Sequence, residues 1–320
     1  MQLMAEALRA KGYSAQAVAF NQDFRHYSND RSISTQKIPF ARFVFALKAI
    51  FKYDVFHFFW GVSLLDFWKF HGIDLPLLSL FNKKIIVHFR GTDLVDVNYY
   101  DYLEKKAKGI ECVEPAKSRP DQLRKLEVWR KYADHLLVST PDLLTIVPEA
   151  KLVPQVVDMD LFVKFRTPLQ NQRFRIGHAP TRRGTKGTGF ILEVVSQLEN
   201  KGYAIELDLI ENELPENVLK RFAACDVGID QLLIGWYGKV SVELMAMGKP
   251  AICFIEDRLK VFRKDLPLVQ ANFKDLYVVL EKLILDRSLI KQIGEQSIIY
   301  STKYHDVNKI VIELVDFYGD

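Results

Sequence analysis

Two stretches in the second half of the 320-residue chain carry side chains suited to holding a phosphorylated ligand. The first, His178–Thr188, reads HAPTRRGTKGT and sets Arg182, Arg183 and Lys186 among Gly184 and Gly187. Phosphate recognition needs fixed positive charge and a backbone able to come close, and this stretch supplies both. The second, Asp226–Pro250, reads DVGIDQLLIGWYGKVSVELMAMGKP. It runs from a short apolar strand through a loop with Gly235 and Gly238 into a helix that stops at Gly248-Lys249-Pro250. A glycine loop opening a helix presents backbone N–H groups and a positive dipole end, which suits a diphosphate. About one turn inside, Glu243 offers a carboxylate to ribose hydroxyls. Glu211-Asn212, after another strand, is a further candidate, for the edge of a base. An ordinary buried strand-loop-helix would share the second pattern. Two phosphate-suited loops and a ribose-suited carboxylate in one half favour a nucleoside diphosphate.

The elements that must position these groups alternate along the chain. In the first half, strands are predicted at Ala15–Phe20, Asp54–Trp60, Lys84–His88 and Asp134–Ser139, with a polar loop over 21–38. Helices are predicted at Met4–Lys11, Phe40–Lys52, near Leu64–Phe70 and at Leu123–Tyr132. After a polar connection reaching Gln172 the pattern restarts, with strands at Phe174, Ala204–Ile210, Asp226–Asp230 and Ala251–Phe254. This alternation predicts an α/β chain of two parallel-sheet domains, with ligands beyond the carboxyl ends of the strands. The segment FARFVFALKAIFK, Phe40–Lys52, places Arg42, Lys48 and Lys52 between helically spaced apolar residues. It fits a core helix of such a domain, or a basic aromatic helix lying on a membrane surface.

Composition narrows the class. Hydrophobic residues make up 49% and charged residues 26%, ordinary values for a globular protein. Residues 1–155 hold 22 Lys+Arg against 17 Asp+Glu, and the remainder 22 against 23, so the net +4 sits in the first half. That excess suggests an anionic partner or an acidic membrane surface and is too small to argue for nucleic acid. Cys112, Cys225 and Cys253 lie far apart and read as the reduced thiols of a cytoplasmic protein. Neither they nor the seven histidines have metal-ligand spacing. His178 is the best placed of the histidines, and a satisfied strand-end histidine is its simpler reading. No secretory signal and no run of 18 uncharged apolar residues is expected to export or anchor the chain. The spacing GxxxxGK[ST] is absent, and no GxGxxG follows a first strand, which argues against a P-loop enzyme and a nicotinamide dehydrogenase.

Taken together, the residues resemble a known family. The basic loop with KGT before a helix, the strand ACDVGID, and GWYG followed by VELMAMGKP are similar to the donor domain of the GT-B glycosyltransferases. The likeness is to the retaining family 4 type, the glycosyl transferases group 1. In the first half, DVFHFFWGVSLL, VHFRGTDL and ADHLLVSTPDLL with VPEA resemble bacterial members. The resemblance implies two Rossmann-like domains facing a cleft. The acceptor side would be 1–160 and the donor side 161–300, with a helix at 301–320 packing back on the first domain.

It further implies a nucleoside diphosphate sugar as donor, with no cofactor and no essential metal. Lys186, with Arg182 or Arg183, would neutralise the departing diphosphate. Gly238 and Lys239 would bring backbone amides to the phosphates and sugar. Glu243, the second glutamate of an E-x7-E motif, would hold the ribose. Gly184, Gly187, Glu211, Asp230, Gly235 and Ser241 complete the implied donor side. Arg90, Gly91 and Asp93 form the implied acceptor side. Arg90 stands where many relatives have histidine and suits a phosphate or acidic acceptor, or else a salt bridge with Asp93 or another carboxylate that holds the loop.

The chain also departs from the family pattern. The first glutamate of the motif falls on Gly235, with Asp230 the nearest candidate substitute in sequence. Thr181 takes the arginine position five before the lysine. The chain starts in or just before the first helix, so the first domain is expected to lack its first strand. The implied activity is retaining transfer of a hexose to a glycan or lipid-linked acceptor, in polysaccharide biosynthesis. It would proceed without a covalent protein intermediate, in the cytoplasm or peripherally at the inner membrane face through the N-terminal half. A binding protein of the same fold without turnover and a sugar-nucleotide 2-epimerase are the competing readings.

Overall fold

Every strand pairing described in the computed structural model is parallel. The structure describes residues 1–20, 30–33, 40–66, 71–166 and 172–319. Parallel strands need covered crossovers and are buried on both faces, which is why the strands here read as near-continuous apolar runs. The predicted α/β class with two parallel-sheet domains holds. Residues 67–70 of the helix expected near Leu64–Phe70, most of the expected loop over 21–38, and 167–171 of the connection lie outside the described residues.

The first compact unit comprises Met1–Val97, Ala116–Pro154 and Ile310–Asp320. Helix α1 (Gln2–Ala10) leads to β1 (Val18–Phe20), which pairs with β2 (Arg31–Ile33). Then come α2 (Ala41–Lys52), β3 (Val55–Phe59), α3 (Leu75–Leu80) and β4 (Lys84–Phe89). Helix α4 (Val97–Ala107) follows and, past Val97, belongs to the second unit; the first unit resumes with α5 (Pro120–Tyr132), β5 (His135–Val138) and β6 (Lys151–Leu152). A four-stranded sheet runs in the order β3-β4-β5-β6. Its inner strand β4 buries Ile85, Ile86 and Val87 almost completely. Arg42 does not lie in solvent on α2. It is buried, donates to the carbonyls of Leu64 and Ser63, and stands 4.1 Å from the Phe20 ring.

The second unit comprises Asn98–Pro115 and Gln155–Lys309. After α6 (Met159–Val163) come β7 (Phe174–His178), α7 (Arg183–Lys186), α8 (Thr188–Asn200) and β8 (Ile205–Leu209). The chain continues through α9 (Pro215–Ala223), β9 (Val227–Ile229), α10 (Lys239–Ala246), β10 (Ala251–Cys253) and β11 (Val269–Gln270). Helices α11 (Leu276–Leu285) and α12 (Arg287–Tyr304) follow, and α13 (Val307–Gly319) returns the chain to the first unit from Ile310 onward. The sheet order is β11-β10-β9-β7-β8. One core covers one face with Phe222, Leu244, Met245 and Tyr300, and the other face packs Ile176, Ile191, Leu198 and Ile229. Each fully buried side chain of this size contributes roughly 1.5–3 kcal/mol.

Two glycines set how closely helices approach this sheet. Gly177 and Gly228 are register partners on adjacent strands. A Cβ at Gly177 would lie 2.7 Å from the Phe222 ring, and one at Gly228 would lie 2.3 Å from Leu244. Helix α10, which starts the candidate site, therefore sits as low on β9 as a strand without a side chain permits. It ends as predicted: Gly248 has φ +72, and the N–H of Lys249 reaches back to Leu244. Among the described residues no helix is long and apolar enough to cross a membrane.

Candidate functional site

The carboxyl ends of β7 and β9 and the start of α10 gather most of the donor-side residues. Asp230 leaves the end of β9 straight into the interior and is only 2% exposed. Its Oδ2 accepts from the Gly238 N–H at 2.7 Å, the Ser241 hydroxyl at 2.8 Å and the Ser241 N–H at 3.3 Å. Its Oδ1 accepts from Lys186 Nζ at 2.7 Å. Burial pushes this carboxyl up, but the Lys186 charge and the bonds from Lys186, Ser241 and Gly238 outweigh it and hold it below its ordinary range. Asp230 is thus an ionised cap on α10. The Gly238 amide, which the resemblance assigned to the phosphates, donates to this carboxylate instead, because the loop folds back over the end of β9.

Lys186 is reached through one helical turn where the sequence suggested loop. Helix α7 closes at Gly187, whose φ of +78 is natural only for glycine. Besides Asp230, the ammonium donates to Gln231 Oε1 at 2.6 Å, and the Gln231 amide donates in turn to the Trp236 carbonyl. An ammonium has three N–H groups, so these two partners leave one unused. A Cβ at Gly238 would stand 3.1 Å from Asp230 Oδ2 and 3.5 Å from Lys186 Nζ, so the bare backbone lies directly on this ion pair.

The two arginines of the basic turn behave differently. Arg183 makes a two-pronged pair with Glu211, at 2.8 and 2.5 Å, which raises the arginine pKa and lowers that of the carboxyl. Glu211 therefore meets a protein cation rather than standing open to a base. Arg182 is exposed, and among the described residues no carboxylate pairs with it. Beside them, a Cβ on Gly184 would lie 1.8 Å from Glu104 Oε2, so α4 rests its carboxylate against the turn.

Glu243 lies one turn inside α10 with its side chain 15% exposed, 3.4 Å from Lys239 Nζ. Burial, helped by the Asp230 charge, raises its pKa against the opposing pull of Lys239. Gly235 adopts φ +83, and its carbonyl accepts the Glu256 N–H at 2.9 Å. A Cβ there would lie 3.1 Å from Glu256 Cβ and 3.3 Å from Glu256 Oε2. A carboxylate therefore stands beside Gly235, and it comes from the loop after β10. Sequence reading did not single it out. Glu256 also pairs with Arg258 at 2.6 and 3.0 Å.

His178 carries no site chemistry. It is fully buried, with Nδ1 donating to the Ile229 carbonyl at 2.8 Å and Nε2 accepting from the Thr188 hydroxyl at 2.9 Å. Burial pushes its pKa down to about 4. It pins β7 to β9 and to the start of α8.

The implied acceptor-side residues form a turn after β4 in the first unit. Asp93 accepts the backbone N–H groups of Arg90 and Gly91, at 2.9 and 2.6 Å. This bonding organises the turn in place of the salt bridge that sequence offered as an alternative. The Arg90 guanidinium instead stacks over Phe59 and Trp60, 5.1 and 5.9 Å from the ring centroids. Its Nε is buried without a hydrogen-bond partner among the described residues. Burial pushes its pKa down to about 10, so it remains a cation at neutral pH.

No family model matches the chain, and no curated protein matches it in sequence. Solved structures match it by fold. Sucrose-phosphate synthase from Thermosynechococcus elongatus is 14% identical over 98% of this chain and 90% of its own, with a TM-score of 0.59. Anabaena HepE in complex with UDP and glucose is 13% identical over 99% of this chain and 95% of its own, with a TM-score of 0.63. An alpha-glucosyltransferase in complex with UDP and a DNA 13-mer is 11% identical over 99% of this chain and 94% of its own, with a TM-score of 0.63. Both parallel-sheet units fall within these matches, and the fold of the chain is that of the GT-B glycosyltransferases.

Proposed function

We propose that this chain transfers a sugar from a nucleoside diphosphate donor to a glycan or lipid-linked acceptor, with retention, as an enzyme of the family 4 type. The observation that carries this reading is the cluster at the end of β9. There Lys186 is fixed by Asp230 and Gln231 beside the glycine loop, with Arg182 on the adjoining turn and Glu243 one turn inside α10. Neighbours of the same fold were crystallised with UDP and with UDP-glucose.

As the glycosidic bond to the diphosphate breaks, negative charge grows on the leaving oxygens. The third N–H of Lys186 and the Arg182 guanidinium meet that charge, and because Lys186 is already anchored, little reorganisation is needed. These fixed cations do the work that a divalent metal does elsewhere, so turnover should survive a chelator. Glu243 holds the ribose hydroxyls, and Glu256 takes the place of the carboxylate missing at Gly235, against a sugar hydroxyl. Arg90, anchored by two aromatic rings, receives a phosphate or carboxylate of the acceptor. The acceptor attacks on the face the diphosphate leaves, without a covalent protein intermediate. The three cysteines are free thiols, in keeping with a cytoplasmic site of action.

The direct test is release of nucleoside diphosphate from a panel of nucleotide sugars, with and without membrane-extracted acceptors. Turnover abolished by Lys186→Met supports the proposal. Tight binding with no turnover would leave only a binding protein, and formation of a C2-epimer without acceptor would make the chain an epimerase.

A further inference from the structure

Helix α2 has two apolar faces, and the fold uses one. Arg42, Phe45, Ala46, Ala49 and Ile50 are buried in the first unit. Phe40, Phe43, Val44, Leu47 and Phe51 are 76, 45, 47, 40 and 75% exposed. Counted from Phe40, their spacing is i, i+3, i+4, i+7 and i+11, a single stripe along the helix. Phe81 meets Phe51 edge-on at 5.6 Å between ring centroids, and exposed Leu80 precedes it on the end of α3. Scattered exposed apolar side chains are ordinary on a protein surface, but a contiguous aromatic stripe marks a contact site.

The charges around the stripe choose the occupant. Lys48 and Lys52 are exposed along one edge of it. No Asp or Glu occurs from Arg31 through Tyr53, and the next carboxylate, Asp54, is 3.1 Å from Lys83. A second copy of the chain would bring no carboxylate on this helix to meet the lysines. An anionic lipid headgroup meets them with phosphate, while the acyl boundary receives the phenylalanines. We propose that α2 docks this chain onto an anionic phospholipid surface, with the Phe40–Phe51 stripe at the acyl boundary and Lys48 and Lys52 at the phosphates. Docking through α2 does not depend on what the donor side binds. Where the two meet, they favour a lipid-linked acceptor over a soluble glycan.

Vesicle flotation of the full chain tests it, using phosphatidylcholine vesicles with and without phosphatidylglycerol at low and high salt. The chain should float with the anionic vesicles, weakly with the neutral ones, and less at high salt. Phe43→Ser/Leu47→Ser/Phe51→Ser should weaken the partition at least about tenfold. Lys48→Ala/Lys52→Ala should weaken it about fivefold per lysine, and because both lysines are exposed it decides the matter even if the serine variant fails to fold. Undiminished flotation of a folded serine variant, equal flotation with neutral vesicles, or none with either would overturn the proposal. So would a dimer on size exclusion that the serine variant splits, which would seat a second copy on the stripe.

Discussion

Replacing Asp230 with asparagine removes one charge at nearly constant shape and tests how the site is built. The wild-type carboxylate is 2% exposed and accepts four hydrogen bonds, one of them from a charged ammonium at 2.7 Å. An asparagine oxygen can keep part of this set, but its NH2 group must then face a donor. Lys186 would keep a single hydrogen bond, to Gln231, and no counter-charge. Breaking a buried pair from one side costs about 3–5 kcal/mol. At roughly 2–4 °C per kcal/mol for a unit of this size, the melting temperature should fall by roughly 6–20 °C. Added salt should change little, because the pair is shielded from solvent. The sign with pH also follows. The folded pKa is depressed, so this carboxylate's stabilisation is complete above its unfolded value near 4 and disappears as pH falls through the folded value. The variant should lack that acid-side loss. Urea unfolding followed by circular dichroism and by fluorescence of Trp236, the second unit's own tryptophan, measures the difference. A loss below about 1 kcal/mol, or an unchanged acid limb, would refute Asp230 as the ionised cap of α10.

Other outcomes follow from the same geometry. His178 and His305 are each held near pKa 4 by burial, below the unfolded value of about 6.5, so stability should decline as pH falls from 6.5 towards 4. Each can contribute roughly 3 kcal/mol, and His178→Gln should flatten part of that slope in melting curves. Glu256→Gln should lower kcat roughly tenfold with little change in the donor KM, while the melting point barely moves because its pair with Arg258 is half exposed. Arg90→Ala should raise the acceptor KM about tenfold and leave donor hydrolysis intact, and Arg90→Lys should rescue it poorly because lysine lacks the planar stacking group. Initial-rate kinetics separate these outcomes.

The fold was legible wherever apolar period and punctuation agreed. FRIGH, IELDL and the stop at Gly248-Lys249-Pro250 are local signals, and the structure has each element there. Helix α4 went unpredicted because VNYYDYLEKKA carries little apolar content, with only Tyr100 and Tyr102 buried. The two-residue edge strand Val269–Gln270 is too short to show a period.

The site was legible by composition but not by pairing. The basic turn, Asp230 and Glu243 announce themselves as residue types. That Arg183 meets Glu211, that Gln231 fixes Lys186, and that Asp230 takes the Gly238 N–H depend on sheet register and loop curvature, which no spacing encodes. Glu256 is the sharpest case. It reaches Gly235 because β10 lies beside β9, a proximity set by the sheet and not by spacing along the chain.

The groups around Lys186 and Glu243 are proposed to hold a nucleoside diphosphate sugar. Melting temperatures of the wild type across a panel of UDP-, GDP-, ADP- and dTDP-sugars test it most directly, since a ligand bound only by the folded state must raise them. At least one donor should produce a clear rise that Lys186→Met and Glu243→Gln each remove. A folded wild type that shifts with none of the panel, or a shift that both variants keep, would contradict it.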